Sequence, residues 1–373
     1  MGKPHSSSSL ILSSLVVLCC WLLASCEKPA AIPELSPVGI NDLELTVDGE
    51  PFRFIGANAI YFGFYHEYGY DIEEAIRSAR DAGITVMRIY VWLGDAPWGG
   101  RAITEYDRVL DIAAKHDMYL IITLTDCCPG DWGPNKETYF EVVPHCDLTN
   151  PSGVSSFKQH IKSILNRKNT VNGKIYKDDS TILAWDVANE LVLGYFSSSE
   201  FSAWLNDVVP YIKELDPHHL VTLGIQDPVA NFTDGSHPEM LNIPGLDFFS
   251  IHIYPTYKQG QQGALSSDLN ALRAHVETYL SFGKPVVLEE FGVGSQRLLR
   301  NPNETTLNGW VQAYRDLMDT AFTAGASGAM FWGWGVPETK NVPEWWNTED
   351  HDPTETEFIA LISEYKIPPY TLP

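Results

Sequence analysis

Residues 182–190, Ile-Leu-Ala-Trp-Asp-Val-Ala-Asn-Glu, and residues 285–292, Pro-Val-Val-Leu-Glu-Glu-Phe-Gly, decide the fold of this chain. Each stretch opens with an apolar run that is too short for a lone helix, which is typical of a strand buried on both faces. Glu190 closes the first run and Glu290 follows the second. Because a buried carboxylate is costly to desolvate, both positions indicate a function. The alternative for each glutamate is an ordinary ion pair with a buried arginine.

Short apolar runs alternate with amphipathic stretches along the rest of the chain. A hairpin is predicted first, in which Leu43–Val47 is joined by the turn Asp48-Gly49 to Pro51–Ala57, the first barrel strand. The other predicted strands are Thr85–Val91, Tyr119–Thr125, Ile182–Asn189, Leu220–Ile225, Phe248–Ile253, Pro285–Glu290 and Ala329–Trp332. The predicted helices are Ile72–Ala82, Tyr106–His116, Val154–Leu165, Glu200–Leu215, Asp268–Phe282, Leu307–Ala324 and Glu355–Glu364.

This alternation determines the fold class. Eight strands that alternate with helices require right-handed crossovers and a parallel sheet. We therefore predict an α/β protein with one domain, a (β/α)8 TIM barrel preceded by an N-terminal β-hairpin. An open doubly wound sheet is the alternative, but no Gly-x-Gly-x-x-Gly motif follows the first strand.

The composition limits the partners of the protein. Its 373 residues include 48 acidic and 25 basic side chains, a formal net charge of −23. This excess argues against nucleic acid and against an anionic polysaccharide, and it favours neutral sugars. The 11 Trp, 17 Tyr and 16 Phe residues can stack on sugars as well as fill a core. We expect no cofactor, no metal and a monomer.

The first residues predict export. Residues 1–26 are interpreted as a signal peptide of the lipoprotein type, residues 27–42 as a Pro-rich tether and residues 43–373 as the barrel domain. Residues 23–26, Leu-Ala-Ser-Cys, resemble a bacterial lipoprotein signal in which Cys26 is acylated. Simple cleavage and secretion is the alternative. We thus expect a cell-envelope lipoprotein or a secreted protein, with membrane contact only through an N-terminal lipid anchor.

Three cysteines remain in the barrel domain, Cys127, Cys128 and Cys146. An oxidising compartment permits one disulfide, between Cys146 and either Cys127 or Cys128. Three unpaired buried thiols are the alternative.

Several side chains are predicted to lie with the two glutamates at the carboxyl ends of the strands, where barrel active sites lie. Arg88, in Val-Met-Arg-Ile-Tyr, would keep a nucleophilic carboxylate ionised and oriented. A structural ion pair is its alternative role. Asn189 either donates to a sugar hydroxyl or caps the next helix.

Two further elements are predicted to place side chains at the carboxyl ends of the strands. His252 and Tyr254 are spaced i, i+2 in Ser-Ile-His-Ile-Tyr-Pro, which places both on one face of a strand. Trp332 is the predicted floor on which a sugar ring stacks, and Trp334 is the second choice. Core packing is the alternative for either tryptophan.

At these residues the chain resembles glycoside hydrolase family 5, and the endo-β-mannanase branch more than the cellulases. Residues 172–190, Asn-Gly-Lys-Ile-Tyr-Lys-Asp-Asp-Ser-Thr-Ile-Leu-Ala-Trp-Asp-Val-Ala-Asn-Glu, are similar to the mannanase segment that leads to the acid/base glutamate. Residues 49–58, Gly-Glu-Pro-Phe-Arg-Phe-Ile-Gly-Ala-Asn, resemble the opening of that family. The family usually continues Asn-Glu-Pro, whereas Leu191 follows Glu190 here.

The resemblance implies roles for the site residues. Glu190 is the acid/base, and Glu290 is the nucleophile because the family's catalytic glutamate directly precedes an aromatic-Gly pair. The residues that the resemblance places around the reacting sugar are Arg88, Asn189, His252, Tyr254 and Trp332.

The implied function is retaining hydrolysis of a β-1,4-linked neutral polysaccharide or oligosaccharide, mannan or glucomannan first, by double displacement with two glutamates. Retention requires carboxyl groups about 5–5.5 Å apart, against about 6.5–9.5 Å for inversion. The alternatives are a β-1,4-glucanase or a transglycosylase of the same family. A non-catalytic surface carbohydrate-binding barrel is the alternative from another class.

Overall fold

The chain enters its main sheet through a small antiparallel sheet. Strands β1 (Val38–Asn41), β2 (Glu44–Val47) and β3 (Glu50–Pro51) pair in that order. The computed structural model describes residues 2, 34–59, 62, 71–91, 103–125, 148–191, 197–225, 243–255, 264–292, 307–334 and 356–370. Residues 34–373 form one compact unit.

The predicted hairpin is present, but its second arm is shorter than expected. The arm ends at Pro51, and the first barrel strand starts separately at Phe54. Between them lies Arg53, whose guanidinium donates to the carbonyl oxygens of Phe322 (2.7 Å) and Ala326 (3.1 Å). Strand β1 lies within the stretch predicted to be a tether, so the folded part of the chain begins before residue 43.

Eight parallel strands form the barrel. They are β4 (Phe54–Asn58), β5 (Val86–Tyr90), β6 (Tyr119–Thr123), β7 (Ile182–Asp186), β8 (Leu220–Thr222), β9 (Phe249–Ile253), β10 (Val286–Phe291) and β11 (Gly328–Phe331). Their spatial order is β8-β7-β6-β5-β4-β11-β10-β9. Backbone hydrogen bonds from Asp247 N to Val221 O (2.8 Å) and from His252 N to Ile225 O (3.3 Å) join the two edges. The predicted (β/α)8 barrel is confirmed.

Amphipathic helices separate the strands. Those within the described residues are α1 (Ile72–Ala82), α2 (Thr104–Lys115), α3 (Pro151–Leu165), α4 (Ser198–Leu215), α5 (Ala264–Leu280), α6 (Leu307–Ala324) and α7 (Thr356–Glu364). Local sequence sets their ends: the Asp71 carboxylate caps α1, and Gly83 ends it at φ 101°. Ser197 and Glu200 form a capping box at α4. None of the described helices combines the length and apolarity needed to cross a membrane.

The barrel interior is apolar at its amino-terminal end and polar at the other. At the amino-terminal end, Leu45 of the small sheet packs with Phe54, Val86, Tyr119 and Val287. Each barrel strand leads, at its carboxyl end, into a segment outside the described residues. Cys26, Cys127, Cys128 and Cys146 also lie outside them, so the predictions of acylation and of a disulfide stay predictions.

Candidate active site

The carboxyl ends of four barrel strands bring the predicted site residues together. Arg88 lies on β5, His252 on β9 and Glu290 on β10, while Glu190 follows β7 by four residues. Glu190 is 6% exposed and Glu290 is 2% exposed. Both glutamates face this one polar cluster, because His252 Nδ1 lies 3.1 Å from Glu190 Oε1 and 3.5 Å from Glu290 Oε2.

Arg88 is the central cation of the cluster. Its Nη1 donates to Glu290 Oε1 at 2.5 Å, and its Nη2 donates to Asp186 Oδ2 at 2.6 Å and to Asn189 Oδ1 at 2.9 Å. Burial opposes its charge, but the surrounding carboxylates, with Glu289 the largest contributor, raise the pKa of Arg88 well above its usual value. A planar, permanently charged fork suits this arrangement better than an ammonium group would.

Asp186 anchors the opposite side of the guanidinium. Its Oδ2 also accepts from Thr123 Oγ1 (2.8 Å), and its Oδ1 accepts from the backbone N of Gly224 (3.0 Å). Burial raises the pKa of Asp186 to about 6, even though Arg88 opposes that change. A side-chain carbon at Gly224 would come within 3.0 Å of Arg88 Nη2 and of the His252 ring, so glycine keeps this approach open.

His252 connects three carboxylates. Its Nδ1 lies 3.1 Å from Glu190 Oε1 and 3.5 Å from Glu290 Oε2, and its Nε2 lies 3.1 Å from Glu289 Oε2. Burial disfavours a charged imidazole, but Glu290, Glu190 and Glu289 outweigh it and raise the pKa of His252 to about 10. This shift favours the imidazolium form of the ring.

Glu290 is surrounded by donors. Besides Arg88, the hydroxyl of Tyr90 donates to Oε1 (2.9 Å) and that of Tyr254 donates to Oε2 (2.9 Å). Arg88 and hydrogen bonds were expected to dominate its ionisation. Instead, burial raises the pKa of Glu290 above the ordinary value, while His252 and Arg88 counteract that effect. The donors orient the carboxylate. The cost of burying its charge is the larger effect, so the pKa of Glu290 is raised and not lowered.

The backbone at Glu190 has an uncommon conformation. Its φ is +48°, in the left-handed region that residues with a side chain rarely adopt. Leu191, which is buried, pairs with Ile225 in an isolated parallel bridge and continues the line of β7 beyond this residue. Backbone strain of this kind is concentrated at functional sites, where it directs a side chain.

The remaining predicted residues occupy defined positions around Glu290. The Oδ1 atom of Asn189 accepts from Arg88 Nη2 (2.9 Å) and lies 3.1 Å from the Tyr90 hydroxyl, which fixes its amide orientation. Trp332 is partly exposed and meets the Tyr90 ring edge-on at 6.5 Å between centroids. Trp334 is buried and donates to Ala75 O, so it belongs to the core.

Three members of the cluster, Tyr90, Asp186 and Glu289, were not singled out from the sequence. Tyr90 is two residues from Arg88, and the i, i+2 rule that pairs His252 with Tyr254 would have found it. Asp186 interrupts an apolar strand, which is the same signal that identified Glu190. Glu289 had no such signal, because in a regular strand its side chain would point to the opposite face of the sheet from that of Glu290.

The spacing of the two glutamates bears on the stereochemical outcome of hydrolysis. One carboxylate oxygen of Glu190, one of Glu290 and a ring nitrogen of His252 all lie within 4.8 Å of one another. Carboxylate oxygens this close agree with the short carboxyl separation of retaining glycosidases, about 5–5.5 Å.

The same three side chains are of types that ligate metals. Each nitrogen of His252 lies within 3.1 Å of a carboxylate oxygen, and its raised pKa favours the imidazolium. An imidazolium has no lone pair to give to a metal ion. This donor set therefore fits proton chemistry better than metal binding.

Comparisons with known proteins agree with the geometry. The chain is 25% identical over 387 residues to mannan endo-1,4-beta-mannosidase 1 of Oryza sativa, covering 89% of this chain and 86% of that protein. It is 26% identical over 373 residues to mannan endo-1,4-beta-mannosidase 5 of Solanum lycopersicum, covering 86% and 88%. A solved endo-1,4-beta-D-mannanase from Thermotoga petrophila RKU-1 matches with a TM-score of 0.69 and 25% identity, over 84% of this chain and 99% of that one.

A family model described as GH family 5 beta-mannosidase-like matches residues 135–357. That range is more than half of the chain, and it contains both glutamates, His252 and Trp332. The family that the sequence motifs indicated is confirmed: the chain belongs to glycoside hydrolase family 5, in its β-mannosidase-like group.

Proposed function

We propose that this protein is a retaining glycoside hydrolase that cleaves β-1,4-linked mannan or glucomannan, with Glu290 as nucleophile and Glu190 as acid/base. The observation that carries the proposal is the short separation of these two buried carboxyl groups on either side of His252. The names of the relatives, mannan endo-1,4-beta-mannosidases, support mannan as the substrate.

In the first step, a carboxylate oxygen of Glu290 attacks the anomeric carbon. The bond from that carbon to the glycosidic oxygen breaks, and Glu190 gives its proton to the departing oxygen. Arg88, Tyr90 and Tyr254 hold the attacking carboxylate in one orientation, which reduces the entropic cost of the attack.

In the second step, Glu190 takes a proton from water, and the resulting hydroxyl group attacks the same carbon. The ester bond to Glu290 breaks, and the sugar leaves with its original anomeric configuration. The two steps use one residue first as acid and then as base, so Glu290 must reach the anomeric carbon and Glu190 must reach the oxygen atom that leaves or attacks it.

A β-1,4-glucanase or a transglycosylase would use the same pair of glutamates. A barrel that only binds sugar would need neither a strained Glu190 nor a buried ion-pair network, because both are costly without catalysis.

The test is release of reducing ends from mannan, glucomannan and cellulose by the wild type, E190Q and E290Q. We expect turnover on the mannose-containing substrates and at least about a 1,000-fold loss of kcat in both variants. E74Q changes an exposed glutamate of α1 in the same way and should retain full activity. Greater activity on cellulose, or unchanged turnover in E290Q, would contradict the proposal.

We also propose that the protein is exported and acylated at Cys26, as the sequence pattern at residues 23–26 indicates. Mass spectrometry of the protein isolated from its own cells should find Cys26, carrying acyl chains, as the first residue. A mature chain that begins elsewhere and lacks lipid would contradict this.

A further inference from the structure

Strand β10 contains a β-bulge that turns two successive carboxylates into the barrel. Leu288 pairs with Ile251 and Glu290 pairs with His252, so Glu289 and Glu290 together oppose one residue of β9. Successive side chains of a regular strand point to opposite faces, and a bulge redirects one of them. Glu289 is therefore fully buried beside Glu290 instead of facing the helices.

The contact that Glu289 makes with His252 limits where the histidine ring can gain or lose a proton. Its Oε2 lies 3.1 Å from Nε2, and a carboxylate can only accept at that distance. Nε2 must then carry a hydrogen. The variable proton of the ring is on Nδ1, which is the nitrogen that faces Glu190 Oε1 at 3.1 Å.

The other charges around His252 do not replace Glu289 in this role. Arg88 of β5 opposes a charged ring, while Asp186 of β7 is engaged by Arg88, by Thr123 and by a backbone amide. Glu290 is 3.5 Å from Nδ1, Tyr254 follows β9 and donates to Glu290, and Gly224, two residues after β8, lies beside the ring. Glu289 is the carboxylate at Nε2 among the described residues.

We propose that Glu289 is a positioning residue: it holds Nε2 of His252 protonated, so that Glu190 and Nδ1 of His252 share the proton that is delivered to the departing oxygen. When Glu190 holds that proton, Nδ1 accepts a hydrogen bond from it; when Nδ1 holds it, Glu190 is a carboxylate. No heavy-atom bond changes in this exchange. The inference rests on the proposed acid/base role of Glu190.

The pH dependence of kcat/KM tests the proposal in E289Q. Loss of the negative charge at Nε2 weakens proton binding by the Glu190–His252 pair, so the alkaline limb should move to lower pH by about one unit or more. D216N is the matched control, since Asp216 contacts the buried His219 at 2.7 Å near the amino-terminal end of β8. D216N should leave the acidic and alkaline limbs of the kcat/KM profile at their wild-type pH values. A uniform loss of activity in E289Q with unmoved limbs would overturn the proposal.

A second measurement needs no Glu289 variant to fold. In the ¹⁵N-histidine spectrum of the wild type, with His252 assigned by its absence in H252Q, Nε2 should be protonated throughout the active pH range. An unprotonated Nε2 would overturn the proposal. A wild type that hydrolyses no β-linked polysaccharide defeats the proposed function, whereas this spectrum still decides whether Nε2 of His252 is protonated where it faces Glu289.

Discussion

At the residue scale, Arg88 explains why a cluster of four acids can exist inside a barrel. Three of its nitrogens face Asp186, Glu289 and Glu290, all of which are almost fully buried. An unpaired buried carboxylate would be costly, so the arginine and the acids depend on one another. The sequence predicted Arg88 from its place in an apolar strand, and the structure adds Asp186, which accepts from both Nε (3.1 Å) and Nη2 (2.6 Å) of the guanidinium.

R88K should show that shape matters as well as charge. Lysine keeps the positive charge but cannot reach Asp186, Asn189 and Glu290 together, so kcat should fall by at least about 100-fold, the effect of one lost electrostatic contact in an active site. R77K, at an exposed ion pair of α1, is the matched control and should behave as the wild type. Equal kcat in R88K and the wild type would rule out this role.

L191P restores the proline that usually follows the acid/base glutamate in this family. A proline restricts the preceding residue to extended conformations, and Glu190 has φ +48° here. We expect loss of most activity, because the carboxyl of Glu190 would be redirected. L191A trims the same side chain without restricting Glu190 and should retain more activity. If the two variants are equally active, the backbone of Glu190 is not the critical feature.

His252 should make stability depend on pH. Its folded pKa of about 10 lies above its ordinary value of 6.5, so its contribution is complete below pH 6.5 and is lost as pH rises through 10. The free energy of unfolding, measured in urea between pH 6 and 10, should therefore fall more steeply in the wild type than in H252Q. Parallel curves would show that the ring is not held as an imidazolium.

At the scale of elements, the sequence predicted the barrel strands well and the irregular backbone poorly. Apolar runs such as 182–188 identify a buried strand because both of its faces are covered. The β10 bulge has no such signature, since it depends on pairing with β9, which is remote in sequence. The hairpin was predicted too long for a related reason: Arg53, which separates its second arm from the first barrel strand, is held by contacts with residues beyond 320.

Asp216 connects elements at the amino-terminal end of the barrel. Its carboxylate accepts from Trp185 Nε1 of β7 and contacts His219 Nδ1 before β8, each at 2.7 Å. Burial would raise the pKa of Asp216, but His219 and Trp185 lower it to about 2. Its contribution to stability is present above its ordinary pKa of 3.8 and is lost as pH falls through 2.

D216N should lower the free energy of unfolding by about 1–3 kcal/mol at pH 7, because buried partners lose a charged acceptor. The difference between D216N and the wild type should shrink between pH 4 and pH 2. Chemical denaturation across that range measures both effects. A difference that stays constant with pH would contradict the lowered pKa.

At the scale of the whole molecule, the small amino-terminal sheet covers one end of the barrel and the polar cluster lies toward the other.

The family and the fold could be predicted from sequence because strand periodicity and the two glutamate motifs point the same way. The partners of His252 could not, because Glu190 follows β7 while Glu289 and Glu290 lie on β10, about a hundred residues further along the chain. The net charge of −23 agrees with a neutral sugar substrate.

The central claim is that Glu290 becomes covalently attached to the sugar. The most direct measurement is incubation with an activated 2-deoxy-2-fluoro-β-mannoside, whose glycosyl-enzyme hydrolyses slowly, followed by fragment mass spectrometry of the labelled peptide. We predict one sugar per chain, attached to Glu290 and not to its neighbour Glu289. A label on any other residue, or continued turnover of mannan without any covalent label, would contradict the account.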